Sequence, residues 1–346
     1  MPALTFSDVL IIPKYSEVES RTDVEIRVLL NQKICLTLPV ISANMKSVTE
    51  SKMAIEMAVC GGVGILHRFM SIEDSVKEFL NTRGLMSQRI SSTSYCNMVG
   101  VSIGVQDEDK NRFNALCEAG ARVFCVDVAH GHSKKTKDMI KWLDENAHPR
   151  QEITIIAGNV ATGEGAYDLA DWGADVIKVG LGPGHACTTR RATGVGIPQL
   201  HAIKEVSEEF KAQGINKGII SDGGIETVGD ICKALKYADA VMLGNFVSGT
   251  SETPGHVFRD ENQNFYKVYQ GSSSGESKNE SGYTVEYIEG ISKKVPFRGH
   301  VKHILREIEQ GIKSSCSYVG AFNLEQFKEK CEFIEISDGG RTESKL

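Results

Sequence analysis

The chain has 346 residues, of which 41% are hydrophobic and 24% charged, a composition typical of a globular protein with a large core. Its formal net charge of -6 at pH 7 disfavours general binding to nucleic acids or membrane surfaces, because both require an excess of basic residues. A local pocket for an anionic ligand is compatible with this balance.

The cysteines and the first residues indicate a cellular compartment. Nine cysteines show no C-x-x-C spacing, so neither a zinc knuckle nor a disulfide framework is indicated. Residues 1–7 lack the basic region and apolar stretch of a signal peptide, and no apolar run reaches the length of a bilayer span. We therefore expect a cytoplasmic protein with reduced thiols.

Eight short apolar runs follow one another along the chain, each closed by Gly, Asn, His or Asp and followed by a segment with helical spacing. Runs that are apolar throughout predict strands buried on both faces. Eight of them favour a single α/β domain over residues 1–346, a (β/α)8 TIM barrel, over an open doubly wound sheet. The predicted strands are 38–44, 62–67, 98–104, 123–129, 153–159, 176–182, 218–223 and 240–244, and helices are predicted over 47–60, 163–172, 228–235 and 299–312.

The pattern breaks after the eighth predicted strand, over residues 253–295, which have a centre rich in serine and glycine. A long insertion of this kind more often forms a mobile flap than a separate domain. The crossover between the second and third predicted strands has an ordinary length, so we expect no regulatory insert there. Residues 337–346 are expected to form a frayed tail.

A glycine-rich segment with a cysteine ends the sixth predicted strand, where a barrel presents its active site. Cys187 is followed by Arg190 and Arg191 and preceded by His185, and such cations increase the thiolate fraction of a cysteine. We interpret Cys187 as a catalytic nucleophile. The alternative is a small, inert hydrophobic residue.

Two later strand ends, 221–224 and 242–245, combine glycines with polar side chains. Barrels commonly bind phosphate at these positions through backbone N–H groups. Asp222 is a candidate acceptor for ribose hydroxyls, as acidic residues are in other nucleotide sites. The competing interpretation is a pair of tight turns without a ligand.

These segments together resemble the IMP dehydrogenase and GMP reductase family. The resemblance rests on residues 4–10, 42–45, 158–160, 182–190, 221–224 and 242–244, and it extends over nearly the whole chain. It implies that the Cys187 thiolate attacks C2 of a purine nucleotide to form a covalent thioimidate, next to a nicotinamide cofactor.

The family contains two opposite reactions, and two features favour the reductase. The chain lacks a regulatory insert, and residues 253–295 contain no adjacent Arg-Tyr pair, which in the dehydrogenases activates water. We therefore expect an NADPH-dependent reductive deamination of GMP to IMP and ammonia. The alternatives are an IMP dehydrogenase that lacks regulatory domains and converts IMP to XMP with NAD, or a reductase for a related purine (deoxy)nucleotide, since Asn245 stands where the family commonly has glycine.

The resemblance also implies roles for individual residues. Thr189 and Glu289 would relay a proton to the departing ammonia, and the carbonyls of Gly182, Gly184 and Cys187 would hold a potassium ion. A neighbouring subunit would contribute four of the dinucleotide-binding residues, which implies a homotetramer. The nucleotide would be bound by Asp222, Gly223, Gly224, Gly244, Asn245, Gly271, Ser272, Ser273 and Gly290. The dinucleotide would be bound by Arg68, Asp127, Val128, Ala129, Gly180 and Leu181, and by Ser314, Ser315, Cys316 and Ser317 of the neighbour.

Overall fold

The computed structural model describes residues 3–90, 98–271 and 291–344 of the chain. Its strands are β1 Val9–Ile11, β2 Val28–Asn31, β3 Ile34–Leu36, β4 Val40–Ser42, β5 Val63–Leu66, β6 Val99–Ile103, β7 Val123–Asp127, β8 Thr154–Val160, β9 Val176–Val179, β10 Gly218–Asp222, β11 Ala240–Leu243, β12 Phe258–Arg259, β13 Phe265–Gln270, β14 Ser292–Pro296 and β15 Phe333–Glu335. Strands β4 to β11 pair in chain order and β11 pairs back with β4, which closes a parallel barrel. The predicted barrel is confirmed.

The eight barrel strands form because their apolar runs are covered on both sides. Every residue of β5, β6 and β11 is buried, as expected where side chains fill the barrel interior and face the outer helices alternately. The register aligns Asp127 with Gly158 and Gly158 with Lys178 across three adjacent strands. Polar residues at the carboxyl ends of these strands therefore meet at one level of the barrel.

The helices surround the barrel. They are α1 Ser51–Val59, α2 Ile72–Ser87, α3 Asp107–Glu118, α4 Lys134–Asn146, α5 Gly163–Asp171, α6 Thr189–Thr193, α7 Gln199–Gln213, α8 Val228–Ala234, α9 Val301–Tyr318, α10 Leu324–Lys330 and α11 Asp338–Glu343, with 3-10 turns at Phe6–Asp8, Arg21–Asp23, Arg150–Glu152 and Asn245–Val247. Across the described ranges, no helix is long and apolar enough to cross a membrane.

Two predicted helices have different bounds in the structure. The first begins at Ser51 rather than at residue 47, because the Thr49 hydroxyl donates to the carbonyl of Ala43 at 2.7 Å and ties the preceding turn to the end of β4. The last continues to Tyr318 rather than ending at residue 312. It continues because Ile308, Ile312 and Cys316 recur at helical spacing on one buried face.

The amino end of the barrel is closed by the hairpin of β2 and β3. Leu30 of this hairpin is 2% exposed, and the Asn31 side chain donates to the hydroxyl of Thr154 at the start of β8, at 2.9 Å. Outside the barrel, β1 pairs antiparallel with β15. The open end of the barrel is therefore the carboxyl end.

The predicted flap and tail contain regular structure. Strands β12, β13 and β14 form an antiparallel sheet over parts of residues 258–296, and Tyr269 and Val295 of this sheet are buried. Residues 272–290 lie outside the described ranges. Residues 338–343 of the expected frayed tail form α11, because Ser337 caps its start and Arg341 pairs with Asp8 at 2.5 Å.

Candidate active site

The segment that follows β9 carries the predicted nucleophile at the open end of the barrel. Cys187 is exposed, and its N–H donates to the carbonyl of Gly184 at 2.9 Å in a tight turn. Its Sγ lies 3.2 Å from Oγ1 of Thr189, the first residue of α6. The structure therefore brings these two predicted catalytic residues into direct contact, in an exposed loop where a ligand has access to the thiol.

Arg190 holds this loop together. Its Nε donates to the carbonyl of Leu181 at 3.3 Å, and its Nη2 donates to the carbonyl of Ile197. Its aliphatic stem packs where a side chain on Gly182 or Gly196 would lie, and burial lowers the pKa of Arg190, an effect that the Cys187 thiolate opposes. The guanidinium thus bridges the two ends of the loop, a role that sequence reasoning did not assign to it.

The chain on either side of residues 272–290 contacts the same loop, directly or through one further hydrogen bond. Ile291 donates its N–H to the carbonyl of Ala186, and Gly271 donates to the carbonyl of Ile291, both at 3.2 Å. Lys293 reaches the carbonyl of His185 at 3.2 Å. The predicted residues Ser272, Ser273, Glu289 and Gly290 lie outside the described residues. Of the two positions that flank them, Ile291 is hydrogen-bonded to the Cys187 loop and Gly271 is hydrogen-bonded to Ile291.

Beneath the loop lies a buried ionic network that sequence reasoning missed. The ammonium of Lys178, whose side chain is 2% exposed, lies 2.8 Å from Asp127 Oδ1 and 2.9 Å from Asp222 Oδ2. It also donates to Asn159 Oδ1, and Asn159 Nδ2 donates to Gly180 O at 2.7 Å and to Asp222 Oδ2 at 2.9 Å. The only sequence signal was a lysine inside an apolar strand.

Electrostatic interactions keep Lys178 and Asp127 charged. Burial alone would lower the pKa of Lys178, but the carboxylates of Asp127 and Asp222 outweigh burial and raise it well above its usual range. Burial likewise would raise the pKa of Asp127, but the Lys178 ammonium, with a further contribution from Arg68, holds it below its ordinary value. The charged ammonium of Lys178 therefore lies between the ionised carboxylate of Asp127 and the side chain of Asp222.

The predicted nucleotide-binding turns adjoin the Cys187 loop. Gly223 and Gly224 have φ values of +89° and +75°, which only glycine adopts readily, and a side chain on Gly223 would lie 3.1 Å from Pro183. The turn at Gly244 and Asn245 borders the hydroxyl of Tyr269, which would lie 2.8 Å from a Cβ on Gly244. The structure thus gathers these glycines with Asp222 and Gly271 around one opening.

Tyr269 is a second residue that sequence reasoning missed. Its ring is 4% exposed, its hydroxyl lies 3.6 Å from the Met45 sulfur, and burial raises its pKa well above the usual range. The hydroxyl is therefore neutral and able to donate a hydrogen bond at the rim of the opening. Its position depends on the pairing of β13 with β14, which the sequence did not predict.

Six predicted dinucleotide-binding residues lie at the carboxyl ends of the alternate strands β5, β7 and β9, around the same opening. They are Arg68, Asp127, Val128, Ala129, Gly180 and Leu181. Val128 is half-buried and Ala129 exposed. The buried Nε of Arg68 has no hydrogen-bond partner among the described residues. An unpaired buried donor is costly, and an anionic or carbonyl group of a ligand would satisfy it, so this position fits a dinucleotide.

Ser314, Ser315, Cys316 and Ser317 lie elsewhere. They belong to the last turn of α9, which begins beside Glu252 near the open end, where Val301 donates to that carboxylate at 2.8 Å. The helix ends beside Lys14, whose N–H donates to the carbonyl of Tyr318. The Cys316 thiol is fully buried, and burial raises its pKa to about 12. Within one chain, these residues therefore do not join the Cys187 site, and the Cys316 side chain is inaccessible to a ligand.

A cleft of about 690 Å³ lies away from Cys187. Its lining includes His201, Lys204, Lys236 and Tyr237, but none of the predicted catalytic or nucleotide-binding residues. The cleft with this volume is therefore not the region that carries the predicted catalytic and nucleotide-binding residues. We place the active site at the barrel opening, because the thiol, the buried ions and the glycine turns converge there.

Comparisons with known proteins agree with the fold. Residues 3–346 match the model of a family described as IMP dehydrogenase / GMP reductase domain. A cysteine-to-alanine variant of GMP reductase from Trypanosoma brucei, in complex with guanosine 5'-monophosphate, superposes with a TM-score of 0.91 at 28% sequence identity, over 100% of this chain and 98% of that chain.

Relatives with both names occur among the similar sequences. Inosine-5'-monophosphate dehydrogenase from Cryptosporidium parvum is 36% identical over 387 residues, which cover 99% of this chain and 94% of that protein. GMP reductase from Leishmania donovani is 31% identical over 475 residues, which cover 99% of this chain and 96% of that protein. The longer alignment belongs to the reductase, so the absence of an insert here does not distinguish the two activities. The chain belongs to the IMP dehydrogenase / GMP reductase family.

Proposed function

We propose that this protein is a GMP reductase that converts GMP to IMP and ammonia with NADPH. The observation that carries the proposal is the contact of 3.2 Å between Cys187 Sγ and Thr189 Oγ1, in a loop hydrogen-bonded to Ile291, two positions from Glu289. A nucleophile, a hydroxyl and a carboxylate are the groups that expulsion of an amine requires.

The proposed reaction balances as follows. The Cys187 thiolate forms a bond to C2 of GMP, and the 2-amino group leaves as ammonia after it accepts a proton through Thr189 and Glu289. The resulting thioimidate accepts a hydride at C2, the C–S bond breaks, and the thiolate is released with IMP. The purine is reduced by two electrons, which a bound NADPH would supply as the hydride.

Other residues bind and orient the reactants. Asp222 would accept hydrogen bonds from the ribose, and the turns at Gly223, Gly224, Gly244 and Asn245 would hold the phosphate through backbone N–H groups. Arg68, Asp127, Val128, Ala129, Gly180 and Leu181 would hold NADPH, which supplies the hydride when bound. Ser314, Ser315, Cys316 and Ser317 would contact it from a neighbouring subunit of a homotetramer, and the buried Cys316 would do so through its backbone.

Potassium is a further part of the proposal. The carbonyls of Gly182, Gly184 and Cys187 belong to one short loop, and carbonyl oxygens suit a hard cation. The Gly184 carbonyl accepts the Cys187 N–H, and its second lone pair is available for an ion. Replacing potassium by sodium in the assay should lower kcat; equal rates in both salts would count against an ion at this loop.

An IMP dehydrogenase is the second candidate. It is favoured by the dehydrogenase name of the relative from Cryptosporidium parvum, which is 36% identical. In that reaction the same cysteine adduct is formed by oxidation of IMP, and water releases XMP. A related purine (deoxy)nucleotide is a third candidate substrate, because Asn245 belongs to the proposed nucleotide site.

Three assays separate these candidates: GMP with NADPH, IMP with NAD, and dGMP with NADPH. Purified protein supplied with GMP and NADPH should consume the reduced nicotinamide and release one ammonia per turnover. Oxidation of IMP with NAD, without reaction of GMP, would overturn the reductase proposal. Cys187→Ala should abolish turnover in either direction while GMP binding persists; unchanged turnover would exclude the covalent route. Comparing kcat/KM for NADPH and NADH tests which cofactor the enzyme prefers. Parallel assays with dGMP test whether it prefers a ribonucleotide or a deoxyribonucleotide.

A further inference from the structure

We propose that Lys178 is a positioning residue that holds Asp127 and Asp222 in one fixed arrangement, so that a single buried cation organises the binding of both reactants. This inference rests on the proposed function for the identity of what the two carboxylates bind. The geometry of the network itself does not depend on that assignment.

The three hydrogens of the Lys178 ammonium match three acceptors. They are Asp127 Oδ1 at 2.8 Å, Asp222 Oδ2 at 2.9 Å and Asn159 Oδ1. An ammonium has three donors and no acceptor, so all of its hydrogen-bonding capacity is used within the protein. Lys178 therefore has no donor left for a ligand.

Exposure separates the lysine from the carboxylates. The Lys178 side chain is 2% exposed, whereas those of Asp127 and Asp222 are 20% and 22% exposed. The carboxylates thus reach the barrel opening while the cation lies beneath them. This layering is why we call Lys178 a positioning residue and not a catalytic one.

The hydrogen bonds also orient Asp222. Its Oδ2 accepts from both Lys178 and Asn159, each at 2.9 Å, and two donors on one oxygen fix the plane of the carboxylate. The remaining oxygen, Oδ1, is left to accept from a ligand. Asn159 also donates to the Gly180 carbonyl at 2.7 Å, which links the network to the first residue of the Cys187 loop.

The network is also where the two predicted subsites meet. Asp127 belongs to β7, which carries the predicted dinucleotide site, and Asp222 to β10, which carries the predicted ribose site. Lys178 lies on β9, which is next to β10 and is separated from β7 by β8. Without the cation, the two carboxylates would lie close together with no positive charge between them, and the pKa of Asp127, which Lys178 holds down, would rise.

The neighbouring titratable groups do not replace this cation. Cys125 on β7 and Tyr269 on β13 both have pKa values raised by burial, so both are neutral at pH 7. Arg68, after β5, contributes its charge to Asp127. No direct bond from Arg68 to Asp222 is present in the described part of the chain. Loss of Lys178 would therefore affect Asp222 most directly.

The test compares two lysines that are buried and paired with aspartate. Lys233 donates to the Phe6 carbonyl at 2.8 Å and lies 3.5 Å from Asp230, on α8 outside the barrel, and Lys233→Met serves as the matched control. Lys178→Met should raise KM for both GMP and NADPH at least tenfold and move the acidic limb of kcat/KM up by more than one pH unit. Lys233→Met should lower thermal stability while both KM values and the pH profile stay as in the parent protein.

A charge-conserving variant keeps the test decisive if Lys178→Met does not fold. Lys178→Arg retains the cation on a longer planar group, so the acidic limb should stay in place while both KM values rise at least fivefold. Both KM values within twofold of the parent in Lys178→Arg would overturn the proposal. So would a folded Lys178→Met whose only change is in stability.

If the parent protein is not a GMP reductase, the positioning role of Lys178 is tested by ligand binding instead of kinetics. A parent protein that does not turn over GMP with NADPH contradicts the reductase assignment and leaves the network to be tested by binding. Calorimetric titration with GMP, and separately with NADPH, then compares the parent with Lys178→Arg. A loss of affinity of at least fivefold for both ligands supports the positioning role, and equal affinities reject it.

Discussion

Replacement of Gly180 by alanine should disable the site more strongly than it destabilises the fold. Gly180 joins β9 to the Cys187 loop and has a φ of +152°. A Cβ at this position would lie 2.1 Å from the backbone carbonyl of Asp222 and 3.1 Å from Oε1 of Gln199. Backbone cannot rotate away as a flexible side chain does, so β10 and the loop must separate.

The expected magnitude follows from two costs. An unfavourable backbone conformation costs about 1–3 kcal/mol, and overpacking of a buried contact costs about 1–3 kcal/mol more. The sum, about 2–6 kcal/mol, corresponds to a fall in Tm of about 4–12 °C at about 2 °C per kcal/mol for a chain of this size. A displacement of Asp222 by about 1 Å should lower kcat/KM by about a hundredfold.

Gly194→Ala is the matched control. Gly194 also has a positive φ, +75°, and ends α6 directly after the Cys187 loop, but nothing lies within 4 Å of its Cβ position. Alanine at position 194 should lower the free energy of unfolding only by the cost of a left-handed backbone conformation, about 1–2 kcal/mol. Its kcat/KM should stay within about threefold of the parent.

The assay pairs thermal unfolding with steady-state kinetics at 20 °C, where both variants are folded. Gly180→Ala should lose far more activity than its loss of stability would explain. If Gly180→Ala and Gly194→Ala have equal kcat/KM, then the contact between the loop and β10 does not position the site, and the reasoning from close approach is refuted.

Three further predictions concern neighbouring groups. The pKa of Asp127 is held below its ordinary value of 3.8, so the unfolded chain binds a proton at Asp127 more readily than the folded protein does. The free energy of unfolding should therefore fall as the pH drops below about 4. Urea unfolding at several pH values should show a smaller fall for Asp127→Asn than for the parent. Arg190→Met should lower kcat about tenfold, because the charge-assisted hydrogen bonds to the loop carbonyls are lost. Arg191 is exposed, so Arg191→Met should keep kcat within twofold of the parent. Similar losses of kcat in both variants would contradict the bridging role of Arg190. Tyr269→Phe should raise KM for the nucleotide about fivefold with little change in kcat. Initial rates across a range of GMP concentrations measure both constants, and an unchanged KM would contradict a role of the hydroxyl in binding.

Much of the barrel was predictable because its signals are local. Each strand is an apolar run of a few residues closed by a polar or glycine residue, and the eight runs recur at intervals that fit crossover helices. Cys187 and Thr189 are two positions apart, so their contact also follows from a local turn. For such features, sequence order and spatial proximity coincide.

The missed features depend on contacts between distant positions. Lys178 interrupts an apolar strand, and its partner Asp127 lies 51 positions away, so only closure of the barrel reveals the pair. Tyr269 reaches the opening because β13 pairs with β14 across residues outside the described ranges. Arg190, expected to act on the thiol through its charge, has its guanidinium on carbonyls that tertiary packing places beside it.

The pairing of β1 with β15 has a consequence for local unfolding. Val9, Leu10 and Ile11 pair with Glu335, Ile334 and Phe333, and Asp8 also binds Arg341. Segments more than three hundred positions apart thus form one cooperative unit on the outside of the barrel. Amide hydrogens on both strands should exchange with solvent at a common rate, and cutting either segment should release the other without opening the ring that holds Cys187.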